Sequence, residues 1–289
     1  YFSSDMPGSF GYSDIWYVDI FEDDTYSDPI NLGPQVNTEF RESFPFISEE
    51  GILYFSSDGR IGLGGFDVYL SDLDSRGMPK TSKNLGPPIN SRLDDFGFIF
   101  STGRGFGYFS SNRNMNWEYE FRNSEIYSVS TNNKAINTLT KRNGPDYKPV
   151  VSPNGEYIAY IGYEDKVQAY QNRSLSIMST DGSKSKMISL KIDSSINQYF
   201  WDYQSKGLFI SYDINGDTKI SYISLSGKVK KIANQLGGTS IGRPYGKGSF
   251  SVSNNGKIAY TYTLPSHPSE LAVVDSKGVR KITSISDPL

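Results

Sequence analysis

The chain of 289 residues contains no cysteine, which excludes disulfide frameworks, thiolate zinc sites, iron–sulfur clusters and cysteine nucleophiles. It has a single histidine, His267, so a multi-histidine metal centre is impossible and only one residue can serve a serine–histidine couple. No cofactor or metal is expected. An excess of one charge is missing too: 29 Lys and Arg stand against 32 Asp and Glu, a balance of −3. Such a chain lacks the dense basic field that phosphate backbones or anionic lipids require, so no nucleic-acid partner is expected. Apolar runs such as Leu271 to Val274 last only a few residues, far short of the roughly 20 that cross a bilayer as a helix. The sequence opens at Tyr1 without a charged-then-apolar signal segment and reads as processed, truncated or cut from something larger. Sustained helical periodicity is absent as well.

What the chain does have is repetition. Tyr1-Phe2-Ser3-Ser4-Asp5 returns as Tyr54-Phe55-Ser56-Ser57-Asp58 and as Tyr108-Phe109-Ser110-Ser111-Asn112, at offsets of 53 and 54. Asn31-Leu32-Gly33-Pro34 recurs as Asn84-Leu85-Gly86-Pro87, and Asp14-Ile15-Trp16-Tyr17 aligns with Asp67-Val68-Tyr69, both 53 residues on. Further along, Val151-Ser152-Pro153-Asn154-Gly155 and Ile158-Ala159-Tyr160 are echoed by Val252-Ser253-Asn254-Asn255-Gly256 and Ile258-Ala259-Tyr260, two such steps away.

Each step holds four runs of β-branched and aromatic residues separated by Gly, Asn, Asp, Ser and Pro clusters, the pattern of short strands. In the fourth unit these are Tyr147 to Ser152, Glu156 to Gly162, Ser174 to Ser179 and Lys186 to Leu190, with Asn154-Gly155 as a hairpin turn in which both residues tolerate positive φ. Four-strand repeats of this length predict an all-β fold, a six-bladed β-propeller with four-stranded antiparallel blades. One domain over 1–289 is expected, with blades near 1–41, 42–94, 95–146, 147–196, 197–247 and 248–289. The first blade is incomplete: no inner strand precedes Tyr1, and the tail Thr283 to Leu289 is a candidate to close the ring. Sheets stacked face to face bury both sides, so most of the 21 Tyr and 17 Phe are expected to be packing residues. In one inner strand, Phe44, Phe46 and Ser48 would face one side and Pro45 and Ile47 the other.

Loops on a rigid scaffold carry recognition. The long connections are those between second and third strands, such as Asn112 to Asn123, and the links between blades, which leave from the same rim. The loop 112–123 concentrates Trp117, Glu118, Tyr119, Glu120 and Arg122; a second cluster, Arg243-Pro244-Tyr245, precedes the sixth inner strand. Aromatic anchors beside charges suit peptide or protein recognition, so Trp117, Glu118, Tyr119, Glu120, Arg122, Arg243 and Tyr245 are the candidate binding residues. The competing reading is that the same residues only order long loops. No catalytic residue is assigned. Gly238-Thr239-Ser240-Ile241-Gly242 matches a nucleophile elbow in letters alone, because it lacks the flanking strand and helix and no Asp separates Ser240 from His267. His267 reads as a surface loop residue. Asp213-Ile214-Asn215-Gly216-Asp217 lacks the closing acid of a calcium loop and reads as a hairpin turn.

From about Gly105 onward the chain resembles the propeller of bacterial prolyl oligopeptidase family serine peptidases, on Asn116 to Tyr127, on Asn143-Gly144-Pro145-Asp146 with Val151 to Gly155, and on Leu236 to Tyr245. In that family the propeller restricts access to an α/β-hydrolase domain that supplies the catalytic residues, and this chain stops at Leu289, about where the hydrolase would begin. The resemblance therefore implies a non-catalytic, access-controlling module whose partners are peptide segments and a hydrolase domain. Residues 1 to about 104 instead resemble TolB-type repeats of Bacteroidetes outer-membrane and type 9 secretion proteins, on Tyr-Phe-Ser-Ser-Asp, Gly64-Gly65-Phe66-Asp67-Val68-Tyr69 and Asn84-Leu85-Gly86-Pro87-Pro88-Ile89-Asn90. That resemblance implies a cell-envelope interaction scaffold, periplasmic or outer-membrane associated. The change of resemblance along one chain leaves a mosaic or chimera open.

Overall fold

The computed structural model describes residues 1–21, 25–48, 50–101, 105–130, 132–238, 248–264 and 267–284. They form six antiparallel sheets and no helix. The first sheet has three strands, β1 (Phe2–Ser4), β2 (Asp14–Tyr17) and β3 (Ile30–Asn31). The other five have four. They comprise β4 (Glu42–Ile47), β5 (Ile52–Ser57), β6 (Asp67–Asp72) and β7 (Lys83–Asn84); β8 (Asp95–Ser101), β9 (Phe106–Ser111), β10 (Glu125–Ser130) and β11 (Ile136–Thr138); β12 (Asp146–Val151), β13 (Tyr157–Gly162), β14 (Ser174–Ser179) and β15 (Lys186–Met187); β16 (Ile196–Trp201), β17 (Gly207–Ile214), β18 (Asp217–Ser224) and β19 (Val229–Ala233); and β20 (Phe250–Val252), β21 (Ile258–Leu264), β22 (His267–Asp275) and β23 (Gly278–Lys281). Every sheet is a meander in chain order, the connectivity of a propeller blade. Two compact units are distinguished, Tyr1–Val151 with Asp181–Ser183, and Ser152–Thr180 with Lys184–Leu289.

Within the first unit, period-two alternation decides which neighbour each side chain meets. Leu53 and Phe55 of β5 join Ile15, Tyr17 and Leu32 of the first sheet in one core, whereas Tyr54 between them joins Phe98, Phe109 and Tyr127 of the third. Both faces of the middle sheet are thus covered, and β5 is buried along nearly its whole length. Gly107 is required by this packing, since a Cβ there would lie 2.6 Å from the Phe98 ring. In the second unit, Phe209, Ile220 and Ala233 pack with Phe250, Ile258, Tyr260 and Ala272 of the last sheet.

The fourth sheet follows the expected strands except at its outer edge, where β15 is only two residues long. The amides of Ile188 and Ser189 both turn to Leu175 O, and Ser189 Oγ accepts Leu175 N–H at 2.8 Å, so a side chain replaces the ladder. Two expectations need correction. Phe44 does not alternate with Phe46, because its φ is +57° inside a bulge between Ser43 and Phe46. At Asn154-Gly155 only the glycine has positive φ, +65°; the turn closes by Gly155 N–H to Ser152 O and Ser152 N–H to Tyr157 O. Gly51, Gly105 and Gly256 repeat that position, and Ser205 occupies it with φ +58°.

Where strands start, buried carboxylates take up amides that no neighbouring strand can satisfy. Asp14 accepts Phe10 N–H and Gly11 N–H at 2.8 and 3.2 Å, and Asn31 Nδ2 donates to it at 2.6 Å. Asn31 Oδ1 in turn receives Gly33 N–H and Asn37 Nδ2, while Asn37 pairs with both the amide and the carbonyl of Ile15. The next repeat does the same: Asp67 accepts Leu63 N–H, and Asn84 Oδ1 receives Asn90 Nδ2, with Asn90 paired to both backbone groups of Val68. In the third sheet Thr140 Oγ1 accepts Ile126 N–H and donates to Glu125 at 2.5 Å. Burial is the leading cause that raises Glu125 to about 7, against the opposing pull of Thr140 and Arg142. Asp146, ion-paired with Arg142, is raised to about 6, again chiefly by burial.

Two outcomes follow. Asn90→Ala leaves the buried Val68 amide and carbonyl without their side-chain partner and is expected to cost about 2–3 kcal/mol in chemical denaturation; a loss under about 0.5 kcal/mol refutes the role given to Asn90. A raised carboxyl binds more protons folded than unfolded, so unfolding free energy should fall as pH rises from about 4.5 to about 7 and then level off. Glu125→Gln should flatten that fall by about 1–3 kcal/mol, read from urea midpoints across the range; an unchanged slope contradicts it.

Candidate functional site

Strand direction alternates, so the connections between second and third strands and the links between sheets leave the same edge of each sheet. The loop 112–123, between β9 and β10, is built by asparagines. Asn112 Nδ2 donates to Glu120 O at 2.8 Å, Asn114 Nδ2 to Asn123 O at 2.9 Å, and Asn123 Oδ1 accepts Gly144 N–H at 2.9 Å. Two turns, Trp117 N–H to Asn114 O and Tyr119 N–H to Asn116 O, complete the frame. With the backbone committed inward, the apolar side chains stand in water: Met115 is 98% exposed, Trp117 43%, Tyr119 86% and Phe121 69%.

Trp117, Glu118, Tyr119, Glu120 and Arg122 therefore share one exposed loop. Their charges do not tie it together by ion pairs among the described residues. Arg122 lies over the Phe121 ring at 5.2 Å, and Glu120 Oε2 accepts the Asn123 amide at 3.3 Å. Arg243 and Tyr245, with Ser240, lie outside the described residues.

Sequence reasoning missed the residues that organise this edge. Arg113 donates to Pro88 O at 2.9 Å, to Ile89 O and to Asp95 at 3.0 Å, and lies 4.8 Å over the Phe109 ring. Arg60, 53 residues earlier, does the same for the preceding link, donating to Val36 O and Gln35 O and lying 5.9 Å over Phe55. Each arginine thus clamps the link before its own sheet. Their shared offset within the Tyr-Phe-Ser-Ser repeat was the available signal. Also missed were exposed apolar residues on the equivalent connections, Phe10 and Tyr12 after β1 and Ile61 and Leu63 after β5.

The whole-chain charge balance conceals a second feature. Residues 1–151 hold 13 Lys and Arg against 21 Asp and Glu, a balance of −8, whereas residues 152–289 hold 16 against 11, a balance of +5. At separations beyond the roughly 8–10 Å over which salt screens charge, a partner senses the local balance and not the total.

His267 is in strand β22, paired with Leu264, and not in a loop as expected. Asp213 to Asp217 forms a hairpin with positive φ at Asn215 and Gly216, and Asp213 accepts Thr218 Oγ1 at 2.5 Å. Among the described residues no group of three His, Asp or Glu is placed to hold a metal ion.

No protein-family model matches the chain, and no curated protein matches it in sequence. Solved structures do match. TolB from Acinetobacter baumannii superposes on 99% of this chain and 63% of its own, with a TM-score of 0.65 at 15% identity, so the chain spans less than two thirds of that protein's length. The β-propeller domain of the Trilobed protease from Pyrococcus furiosus covers 96% of this chain with 75% of its own, at a TM-score of 0.61 and 16% identity. A puromycin-hydrolyzing peptidase from Mycobacterium tuberculosis covers 98% with 46% of its own, at 0.61 and 14%. Identities this low speak for fold and not for role, and the fold they share with this chain is the six-bladed antiparallel β-propeller.

Proposed function

We propose that this propeller is a non-catalytic module that binds peptide or protein segments through the loop-rich edge of its first three sheets. The observation that supports it is the Asn-framed loop 112–123, which holds Met115, Trp117, Tyr119 and Phe121 in solvent. Exposed aromatic anchors on an ordered frame lose little conformational entropy on binding. Around them lies a chain segment with a balance of −8, so the favoured ligand is an apolar segment carrying basic residues. In this reading the module governs access of peptides to a hydrolase domain, and the likeness to propellers of two peptidases supports it. A second reading, a periplasmic or outer-membrane-associated interaction scaffold, is favoured by the likeness to TolB.

Peptides pairing aromatic with Lys or Arg residues should bind the purified chain, and Trp117→Ala/Tyr119→Ala should weaken binding about 10- to 100-fold while the thermal midpoint stays within about 2 °C. Equal binding by the double variant would discard the loop as the site. If only a folded envelope protein binds, and peptides do not, the scaffold reading prevails. The chain should show neither labelling by a fluorophosphonate probe nor peptide hydrolysis; serine-dependent turnover overturns the non-catalytic assignment.

A further inference from the structure

The second unit contains a cleft of about 550 Å³ lined by Lys191, Ile192, Asp193 and Ser194 from the link after β15, by Tyr212 and Ile214 at the end of β17, and by Ser226 to Val229 where β18 turns into β19. That volume is within the range of sites for small ligands. Backbone sets one wall: Gly227 has φ +82°, and a Cβ there would lie 2.8 Å from Ile188 O, so the turn is pressed against the neighbouring link and the cleft exists before any ligand arrives.

Its two lysines outnumber its one carboxylate. Neither Lys191 nor Lys228 belongs to any of the five ion pairs found between Arg41 and Asp146 among the described residues. Both are exposed, as are Lys230 and Lys231 on the adjoining edge strand. The cleft is nonetheless not a plain cationic patch. Asp193 also lines it, with Oδ1 accepting Asn172 Nδ2 at 3.0 Å. Ser194 and Ser226 add hydroxyls, and the half-buried Tyr212 adds a ring.

We infer that this cleft binds an acidic oligosaccharide whose sugar rings carry carboxylates. Lysines pair with the carboxylate, Asp193 and the serines exchange hydrogen bonds with ring hydroxyls, and Tyr212, Ile192 and Ile214 contact the apolar faces of the rings. An acidic peptide fits worse. Asp193 finds hydroxyl donors on a sugar ring and none on ionised acidic side chains, and β17, which supplies Tyr212 and Ile214, is hydrogen-bonded on both edges as far as Tyr212, so it offers a peptide main chain no free ladder there.

The test is titration of the purified chain with a galacturonic acid trimer, followed by amide chemical shifts, beside a neutral galactose trimer and a glutamate-rich peptide of similar length. Saturable binding of the acidic trimer, weakening with salt, is expected. Lys191→Ala/Lys228→Ala should lose at least about tenfold in affinity, equivalent to roughly 1.4 kcal/mol. Asp193→Asn separates recognition from bulk charge: it should weaken the trimer and strengthen the glutamate peptide. The inference is overturned by no saturation at about 5 mM trimer, by tighter trimer binding to Asp193→Asn, or by peptide affinity matching that of the trimer. Trp117→Ala/Tyr119→Ala should leave trimer binding unchanged, so this site stands or fails apart from the peptide-binding loop.

Discussion

Burial of both faces of each interior sheet is the constraint from which the rest of this molecule follows. A strand packed on two sides satisfies its backbone through its sheet neighbours, but the chain must leave the sheet at its ends. There the amides of entering loops have neither a strand partner nor free access to water. Asp14, Asp67 and Glu125 sit at those points, and their carboxylates or the adjoining Asn and Thr side chains replace the missing ladder. The cost is visible in the acids themselves, since Glu125 and Asp146 are held well above ordinary carboxylate values by burial. A carboxylate offers two oxygens to such donors, as Asp14 does to the amides of Phe10 and Gly11, whereas an apolar residue would leave them unpaired.

This arrangement separates the residues that hold the fold from those at the loop tips. The Asn31 to Asn37 and Asn84 to Asn90 networks fix each link by side-chain contacts to the backbone of the neighbouring strand, and Arg60 and Arg113 clamp the same links from the next sheet. Once the chain entering and leaving a loop is fixed, the residues at its tip contribute little to the core. The 112–123 loop uses that freedom to keep four large apolar side chains in water. Scattered single exposures are ordinary on a protein surface; several on one framed loop are the observation on which the proposed binding role rests.

The repeat period, the strands and the blade count were legible because a step of about fifty residues carries Tyr-Phe-Ser-Ser and Asn-Leu-Gly-Pro together. What escaped was anything whose partner is backbone. Asp14 and Asp67 repeat visibly, yet nothing in their letters says they accept loop amides. The arrangement of Glu125 with Thr140 recurs as Glu270 with Thr283, where Leu271 N–H and Glu270 both meet the threonine hydroxyl, but Ser124-Glu125-Ile126 and Ser269-Glu270-Leu271 are short and their threonines follow at unequal spacings. Phe44 was misplaced for a related reason: a bulge changes side-chain facing without changing hydrophobicity. The aromatic loop was found because its composition alone is unusual, and its asparagine frame was overlooked because Asn in a loop is commonplace.

Charge is the property that a whole-chain sum hides best. A balance of −3 is compatible with a neutral surface or with two opposed ones, and here residues 1–151 and 152–289 differ by 13 charges. Five ion pairs among the described residues fall in the acidic segment, where Arg60 and Arg113 also serve as clamps. The basic segment holds most of its cations as lysines on edges and links, such as Lys191, Lys228 and Lys230. Lysines on an edge strand discourage pairing with other chains, which accounts for Lys230 and Lys231 without any ligand. It does not account for Lys191, which is in a link, nor for Asp193 and Tyr212 beside it in a formed cleft. Edge protection needs only charge, whereas that combination of cation, carboxylate, hydroxyl and ring offers a distinct partner to each group of an acidic sugar.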